Sequence, residues 1–182
     1  LTVEEDSITL FSRVKRKFYK KNEAHITNDF IMGTPDLYEG DAIDNASLIV
    51  DVKSPWDIFS FFRNLTKPIN KDYYWQLMGY MALTGAKKAI LAYCLVNLSE
   101  PMILDEERKL MNKMNAGTTE NPEYIEACEK LRHLFIYDDI PIKNRVIEFT
   151  IDRDEEEIKR IYGKVKKCRE YLNKLESSIC GL

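Results

Sequence analysis

An aspartate and a lysine, two positions apart, stand inside the most strand-like stretch of this sequence. Residues 48–54 (LIVDVKS) are rich in Leu, Ile and Val, which predicts a β-strand. Because side chains alternate along a strand, Asp51 and Lys53 share one face, and Val50 and Val52 share the other. Burying both charges in an apolar strand is costly unless a divalent cation neutralises the carboxylate and the lysine serves a developing anion. The alternative is a solvent-exposed Asp–Lys pair on an edge strand.

A second carboxylate can reach the same point. Asp36 follows a Gly33-Thr34-Pro35 turn, and this turn could deliver its side chain to Asp51. Hard oxygen ligands of this kind suit Mg²⁺ or Mn²⁺. The two aspartates therefore predict a site for a divalent cation.

A polar pair lies on one face of a predicted helix. Residues 71–84 (KDYYWQLMGYMALT) predict a buried helix that Gly85 closes. Gln76 and Tyr80 are four positions apart, so their side chains point the same way. The alternative interpretation is a half-buried amphipathic helix with two polar tips.

Composition and charge exclude several classes of protein. The chain has 182 residues, 45% of them hydrophobic and 31% charged, which favours one soluble globular domain. The net charge of −3 disfavours a protein that simply coats nucleic acid, since such proteins are usually basic. No apolar run approaches the roughly 18 residues that a membrane helix needs. The four widely spaced cysteines and two histidines favour neither a zinc site nor a disulfide framework, so we expect a reducing cytoplasm.

The elements that must position these residues alternate between helix and strand. We expect helices at 3–19, 71–84 and 154–176 and strands at 26–32, 48–54, 89–97 and 143–151, with a helical insert at 104–141. This order predicts a mixed α/β fold, in which helices flank a mixed central β-sheet. We expect a single domain over 1–182, and the absence of an initiator Met leads us to expect a missing N-terminal segment.

Three ordered motifs together resemble the PD-(D/E)XK nuclease superfamily, which has a restriction-endonuclease-like core. They resemble most closely the phage lambda-type recombination exonucleases and RecB-type nuclease domains. GTPD at 33–36 is similar to the metal motif G-x-P-D, and VDVKS at 50–54 is similar to the D/E-x-K strand. QLMGY at 76–80 is similar to the Q-x-x-x-Y motif of that branch. The strand at 89–97 and the R-V-x-x-F stretch at 145–149 extend the resemblance over most of the chain.

The resemblance implies a role for each of these residues. Asp36, Asp51 and the backbone carbonyl of Val52 would bind Mg²⁺, for which Mn²⁺ could substitute. Lys53 would orient the attacking water and stabilise charge in the transition state. The family also carries an acidic residue on the preceding helix, and Glu4 matches it by position, with Glu5 as the alternative.

The helical pair has an implied role as well. Gln76 and Tyr80 would position the phosphate or the surroundings of Lys53. All the residues above would then belong to one catalytic site.

A basic segment gives the implied enzyme a way to hold DNA. Residues 13–21 (RVKRKFYKK) carry six positive charges: Arg13, Lys15, Arg16, Lys17, Lys20 and Lys21. Near an acidic metal site, these cations are candidates for contacts with the DNA backbone. Their alternative role is a solvated helix face. Within the segment we expect Phe18 to belong to the core stripe of the helix and Tyr19 to be able to stack on a base.

The resemblance therefore implies a Mg²⁺-dependent deoxyribonuclease. We expect an exonuclease that processes double-strand DNA ends in phage-type recombination or repair. The alternatives are an endonuclease or junction resolvase on the same fold, or a non-catalytic DNA-binding or assembly module. Expected partners are duplex DNA with free ends, further copies of the chain and a single-strand annealing protein, with no membrane. The expected location is the cytoplasm of a bacterial or phage-infected cell.

Overall fold

A computed structural model describes residues 3–180, apart from the side chain of Cys180. Within these residues the helices are α1 (Val3–Lys15), α2 (Ile58–Thr66), α3 (Lys71–Thr84), α4 (Glu100–Met114), α5 (Pro122–His133) and α6 (Glu155–Cys180). The strands are β1 (Ile26–Thr27), β2 (Met32–Gly33), β3 (Leu37–Glu39), β4 (Leu48–Lys53), β5 (Lys88–Cys94) and β6 (Val146–Asp152). None of the helices in this part of the chain is long and apolar enough to cross a membrane.

The described strands form a four-stranded sheet and a separate two-stranded hairpin. The sheet has the order β3-β4-β5-β6, and β3 runs antiparallel to β4. Strand β4 therefore lies inside the sheet, with a neighbour on each side. This arrangement confirms the predicted mixed α/β fold, with a central sheet flanked by helices.

The chain divides into two compact units. The first unit contains 3–19, 52–68 and 92–147, and the second contains 20–51, 69–91 and 148–180. The boundaries within the sheet fall after Asp51 in β4, after Leu91 in β5 and after Ile147 in β6.

The second unit is built around α3. This helix buries Leu77, Met78 and Met81 and packs against the β1–β2 hairpin and α6. It begins after Asn70, whose side chain accepts a hydrogen bond from the backbone N–H of Asp72. It ends where Gly85 takes a left-handed conformation with φ of 78°, as the sequence predicts.

The first unit contains the α4–α5 hairpin and the buried face of α1. Helix α1 buries Ile8, Leu10 and Phe11. In the hairpin, Arg132 of α5 donates hydrogen bonds to Glu100 and Glu107 of α4. Both helices overlap the span 104–141, in which we expected a helical insert, although α4 begins four residues before that span.

The predicted strand at 26–32 is wrong in one respect, because a turn divides it into β1 and β2. The side chain of Asn28 accepts hydrogen bonds from the backbone N–H groups of Phe30 and Ile31. An Asn side chain that replaces a backbone acceptor in this way stabilises a tight turn. The chain therefore reverses where the apolar pattern alone predicts continuous strand.

Candidate active site

The carboxylate of Asp51 is completely buried. Asp51 has no exposed surface, and its neighbours Val50 and Val52 are buried too. Because β4 is an inner strand of the sheet, the interpretation of Asp51 and Lys53 as an exposed pair on an edge strand is wrong. A carboxylate in such surroundings has lost its hydration, which is costly for the charged form unless other groups compensate it.

The register of β3 against β4 relates Asp36 to Asp51. Leu37 is the partner of Val50 in this antiparallel pair, so the next step of the register sets Asp36 opposite Asp51. Side chains of directly opposite residues lie on the same face, with Cβ atoms about 5 Å apart. Extending the register by one step therefore puts both aspartates on the face opposite to Leu37 and Val50. Asp36 is half-buried and directly precedes β3.

Asn22 holds the turn that leads to Asp36. Its backbone N–H donates to the carbonyl oxygen of Asp36 at 2.7 Å, and its side-chain amide donates to the carbonyl oxygen of Pro35 at 2.8 Å. The ring of His25 is hydrogen-bonded to the hydroxyl of Thr34 at 2.9 Å. Asn22 and His25 were not predicted as site residues. No motif marks them, because their role comes from contacts across the turn rather than from spacing along the chain.

Tyr80 packs directly against Gly33, the first residue of the G-x-P-D motif. A Cβ atom at Gly33 would lie 2.6 Å from Cε1 of Tyr80, so only glycine leaves room for the ring. Gln76 donates a hydrogen bond to the hydroxyl of Tyr80 at 2.9 Å. The Gln76–Tyr80 pair thus braces the turn that carries Asp36, which the sequence did not predict.

The remaining predicted site residues belong to the first unit. Val52 is buried, and Lys53 is half-buried at the end of β4, two residues after Asp51. Glu4 and Glu5 both lie in the first turn of α1 and are both half-buried, so burial does not distinguish between them.

A hydroxyl pair connects α1 to the end of β4. Ser7 of α1 is fully buried, and its Oγ lies 2.7 Å from Oγ of Ser54, the residue after Lys53. Ser7 is one turn along the helix from Glu4, so this contact fixes the part of α1 that carries the candidate acid relative to Lys53. Nothing in the sequence pattern predicted the pair.

The donor atoms fit a hard divalent cation. Among residues 3–180, no three His, Cys, Asp or Glu side chains gather into a metal-binding group. Mg²⁺ does not require such a group, since it usually keeps several water ligands and binds through one or two carboxylates and substrate phosphates. Asp36, Asp51 and the main-chain carbonyl of Val52 match this chemistry better than the closed nitrogen and sulfur shell that structural zinc prefers.

The end of α1 differs from its prediction. The helix stops at Lys15 rather than at residue 19, because Arg16 takes a left-handed conformation with φ of 53°. The turn reverses the expected positions of two aromatic residues. Phe18 is 86% exposed rather than part of the core, whereas Tyr19 is only 6% exposed and packs on Phe11. The interpretation of Tyr19 as a base-stacking residue is therefore wrong.

The six cations of the basic segment lie on both sides of this turn. In the first unit all four cations are exposed: Arg13, Lys15, Arg16 and Lys17. In the second unit Lys20 is exposed and Lys21 is half-buried. The ammonium group of Lys17 lies 5.3 Å from the centre of the Tyr19 ring. Arg13 lines a cavity of about 300 Å³ together with Arg145. The exposure of most of these side chains is compatible with contacts to a large anionic partner.

The fold is shared with solved exonucleases. A phage-related exonuclease from Haemophilus somnus 129PT matches with a TM-score of 0.67 and 24% identity, over 97% of this chain and 70% of that protein. The alkaline exonuclease LHK-Exo from Laribacter hongkongensis matches with a TM-score of 0.51 and 13% identity, over 97% of this chain and 72% of that protein. The same enzyme in complex with dAMP gives a TM-score of 0.53 and 15% identity, over 97% and 71%.

No protein-family model and no curated protein sequence matches the chain. The structural matches nevertheless run over nearly all of it and agree with the resemblance that the three motifs indicated. This protein therefore has the fold of the phage-related and alkaline exonucleases.

Proposed function

We propose that this protein is a metal-dependent DNA nuclease that hydrolyses phosphodiester bonds. The observation that carries the proposal is the fully buried Asp51 carboxylate on an inner strand, in a fold shared with exonucleases. The β3–β4 register supports it, because extending that register by one step sets Asp36 opposite Asp51. Burial of a carboxylate at this place is hard to explain as a means of stabilising the fold, because an apolar side chain would be cheaper to bury.

Asp36, Asp51 and the backbone carbonyl of Val52 would hold Mg²⁺, or Mn²⁺ in its place. Glu4 of α1, or Glu5, would complete the ligand set directly or through water. When bound, the cation supplies Lewis-acid polarisation of the scissile phosphate and makes water more acidic near neutral pH.

Lys53 is the candidate for handling the attacking water. Its ammonium group would orient that water by a hydrogen bond and stabilise the negative charge that grows on the phosphate oxygens. Gln76 and Tyr80 would position the phosphate. Their second role, suggested by the packing of Tyr80 on Gly33, is to keep the turn before Asp36 in place.

We infer that the substrate is double-stranded DNA with free ends and that the enzyme is an exonuclease. The solved neighbours are exonucleases, and one of them was crystallised with dAMP, a deoxynucleoside monophosphate of the kind that an exonuclease releases. The exposed cations of the basic segment would contact the phosphate backbone of the duplex.

The same proposal implies a cellular setting. An enzyme that degrades one strand from a duplex end leaves a single strand, so a single-strand annealing protein is the partner we propose. The setting would be phage-type recombination or repair in the cytoplasm of a bacterial or phage-infected cell. A further partner is a second copy of the chain.

The test is digestion of linear and covalently closed circular duplex DNA, with Mg²⁺ or with EDTA. We expect loss of the linear DNA alone, only with Mg²⁺, and release of mononucleotides. Nicked circles would support an endonuclease or junction resolvase instead. Binding without any cleavage would support a non-catalytic module.

A matched pair of variants tests whether an Asp→Asn change has its effect at the candidate site and not at an exposed position. Asp51→Asn keeps the shape of the side chain and removes its charge, so it should abolish cleavage and also the rise in Tm that Mg²⁺ causes in the wild type. Asp44→Asn makes the same chemical change at an exposed position and should keep both. If Asp51→Asn retained the Mg²⁺-dependent rise in Tm, the assignment of the metal to Asp51 would be wrong.

A further inference from the structure

A groove in the second unit lies between helices α3 and α6. Its volume is about 630 Å³, which is within the range of sites that bind small ligands. The half-buried Trp75 lines it from α3, and Ile161 and Val165 line it from α6. An apolar groove with a tryptophan ring on one side suits a ligand that carries a flat ring.

The cations of α6 indicate the charge of that ligand. Residues 159–169 (KRIYGKVKKCR) contain six positive charges and no acidic residue, in a chain whose net charge is −3. Three of these cations line the groove and are exposed: Arg160, Lys164 and Lys167. Arg160 is paired with Glu157 at 2.7 Å, whereas Lys164 and Lys167 form no ion pair with any of the described residues. The groove therefore carries positive charge that an anionic ligand would neutralise.

The fold does not explain Gly163, which also lines the groove. A glycine inside a helix is less stable than alanine, because its backbone loses more conformational freedom on folding. Gly163 has no positive φ, and a Cβ atom there would meet nothing within 4 Å. Neither backbone conformation nor crowding by the described residues requires glycine. The missing side chain instead leaves space in which a ligand can approach α6 closely.

A nucleotide combines the properties that this groove requires. Its base is a flat ring that stacks on an aromatic side chain, and its phosphates attract lysines. In duplex DNA each base is paired and covered by its neighbours, so a tryptophan in a groove cannot reach its face. The bases of a single strand are open to such stacking. Stacking and phosphate contacts accept every base, so we expect little dependence on sequence.

We propose that this groove binds unpaired nucleotides of single-stranded DNA, with one base stacked on Trp75 and the adjacent phosphates on Lys164 and Lys167. The inference rests on the proposed nuclease function for its choice of ligand. It adds a place for the strand that stays unpaired when its complement is degraded. Trp75 directly precedes Gln76 of the candidate site, so α3 carries both. Binding is measured in EDTA and cleavage in Mg²⁺, so the two proposals can fail separately.

The first experiment follows the fluorescence of Trp75. The chain has two tryptophans, so Trp56→Phe leaves Trp75 as the only one. An oligothymidylate of about 12 nucleotides, titrated in EDTA, should quench this fluorescence to saturation, because a base stacks on the ring. A blunt duplex of the same length should quench it little. No quenching by the oligothymidylate, or equal quenching by the duplex, would overturn the proposal.

The mononucleotide dTMP distinguishes a strand from a free nucleotide. It offers one phosphate, so it should bind at least about 10-fold more weakly than the oligothymidylate. Equal affinities would make the groove a mononucleotide site and would refute the binding of a strand.

The second experiment removes the stacking surface. Trp75→Ala should weaken binding of the oligothymidylate by about 5-fold to 100-fold, which is the effect of one lost stacked base. Trp75→Phe keeps an aromatic face and should retain most of the affinity. If Trp75→Ala bound the oligothymidylate as the wild type does, stacking on this residue would be excluded.

Gly163→Ala should change stability and binding in opposite directions. The methyl group favours the helix and should raise Tm by about 1–4 °C. It also takes space in the groove and should weaken binding of the oligothymidylate about 5-fold or more. The control is Gly79→Ala in α3, where a Cβ atom makes only an ordinary contact with Ile31 at 3.6 Å, and it should leave the affinity unchanged. A Gly163→Ala protein that gained stability and kept the wild-type affinity would contradict the proposal.

The salt dependence of binding tests the two lysines. Lys164→Gln with Lys167→Gln should reduce the slope of log K against log salt by roughly 0.7 for each phosphate that is no longer neutralised. The control, Lys113→Gln with Lys143→Gln, removes two charges from exposed positions in the first unit and should keep the wild-type slope. A wild-type slope in the groove variant would place both lysines on a solvated helix face and refute their contact with the strand.

Discussion

The turn before Asp36 and the turn that ends α1 both carry predicted site residues, but they are built in opposite ways. The first is held from two sides, by hydrogen bonds from Asn22 and by the ring of Tyr80 against Gly33. The second leaves Lys17 and Phe18 exposed around a single buried anchor, Tyr19. Carboxylates that share a cation must be placed within tenths of an ångström, whereas cations that attract a phosphate backbone act across several ångströms of water.

The largest effect should come from the inner strand. Lys53→Ala should lower the rate of DNA cleavage by about 100-fold to 1,000-fold, as the loss of a group that stabilises transition-state charge does elsewhere. The rate is measured on linear duplex DNA at saturating Mg²⁺.

Lys53 is not an expected metal ligand, so its loss should spare the other properties of the site. The Mg²⁺-dependent rise in Tm and the affinity for DNA should both stay close to the wild-type values. A variant that turned over at nearly the normal rate would make Lys53 a structural partner of Asp51 and not a catalytic residue.

The next largest effect should distinguish the two aromatic residues at the end of α1. Tyr19→Ala should cost about 3 kcal/mol of the free energy of unfolding, since it removes a buried ring from Phe11. Phe18→Ala should change it by less than about 0.5 kcal/mol, because the ring is exposed. Urea denaturation measures both, and equal losses would mean that Phe18 is covered in solution.

The sequence predicted this region only in part, and the reason is local. Apolar spacing indicates which residues belong to one helical face as long as the helix continues. It does not indicate that Arg16 will take a left-handed conformation, and this conformation exchanges the expected positions of Phe18 and Tyr19. The expected helix to residue 19 therefore placed Phe18 inside and Tyr19 outside.

The inner strand and α3 were predictable for the opposite reason. The run around Asp51 is rich in β-branched residues, which favour a strand, and the end of α3 at Gly85 depends on a glycine that can take positive φ. The bracing of the Asp36 turn was not predictable, because Asn22, Gly33 and Tyr80 are far apart in sequence. The contact of Gly33 with Tyr80 exists only once the hairpin packs on α3.

A smaller effect should follow from filling the space beside Tyr80. Gly33→Ala should destabilise the protein by about 1–3 kcal/mol, because the added methyl group overlaps the tyrosine ring. Combined with Tyr80→Ala, the same change should cost less than it does alone, and the double-mutant cycle measures that coupling. Additive losses would mean that the ring does not press on Gly33.

The matched control is Gly117→Ala in the connection between α4 and α5. A Cβ atom at Gly117 meets no neighbour within 4 Å, but its positive φ of 64° still makes alanine unfavourable. Its cost should therefore be independent of Tyr80. This comparison separates the crowding at Gly33 from the general cost of removing a glycine.

The smallest effect per residue should come from the cations of the basic segment. We would replace four cations by glutamine in one variant: Arg16, Lys17, Lys20 and Lys21. This variant should bind DNA more weakly, and its binding should depend less on salt. The slope of log K against log salt should fall by roughly 0.9 for each phosphate that the variant no longer neutralises. The net charge of −3 cannot supply this attraction, and the aspartates of the candidate site repel DNA until a cation binds, so a local patch is required. The control removes the same number of charges from other exposed positions, Lys67, Lys71, Lys87 and Lys88. The affinity of both variants for DNA is measured at several salt concentrations. If the slope changes in the control alone, the DNA-binding surface is formed by the control lysines, and the basic segment is a solvated surface.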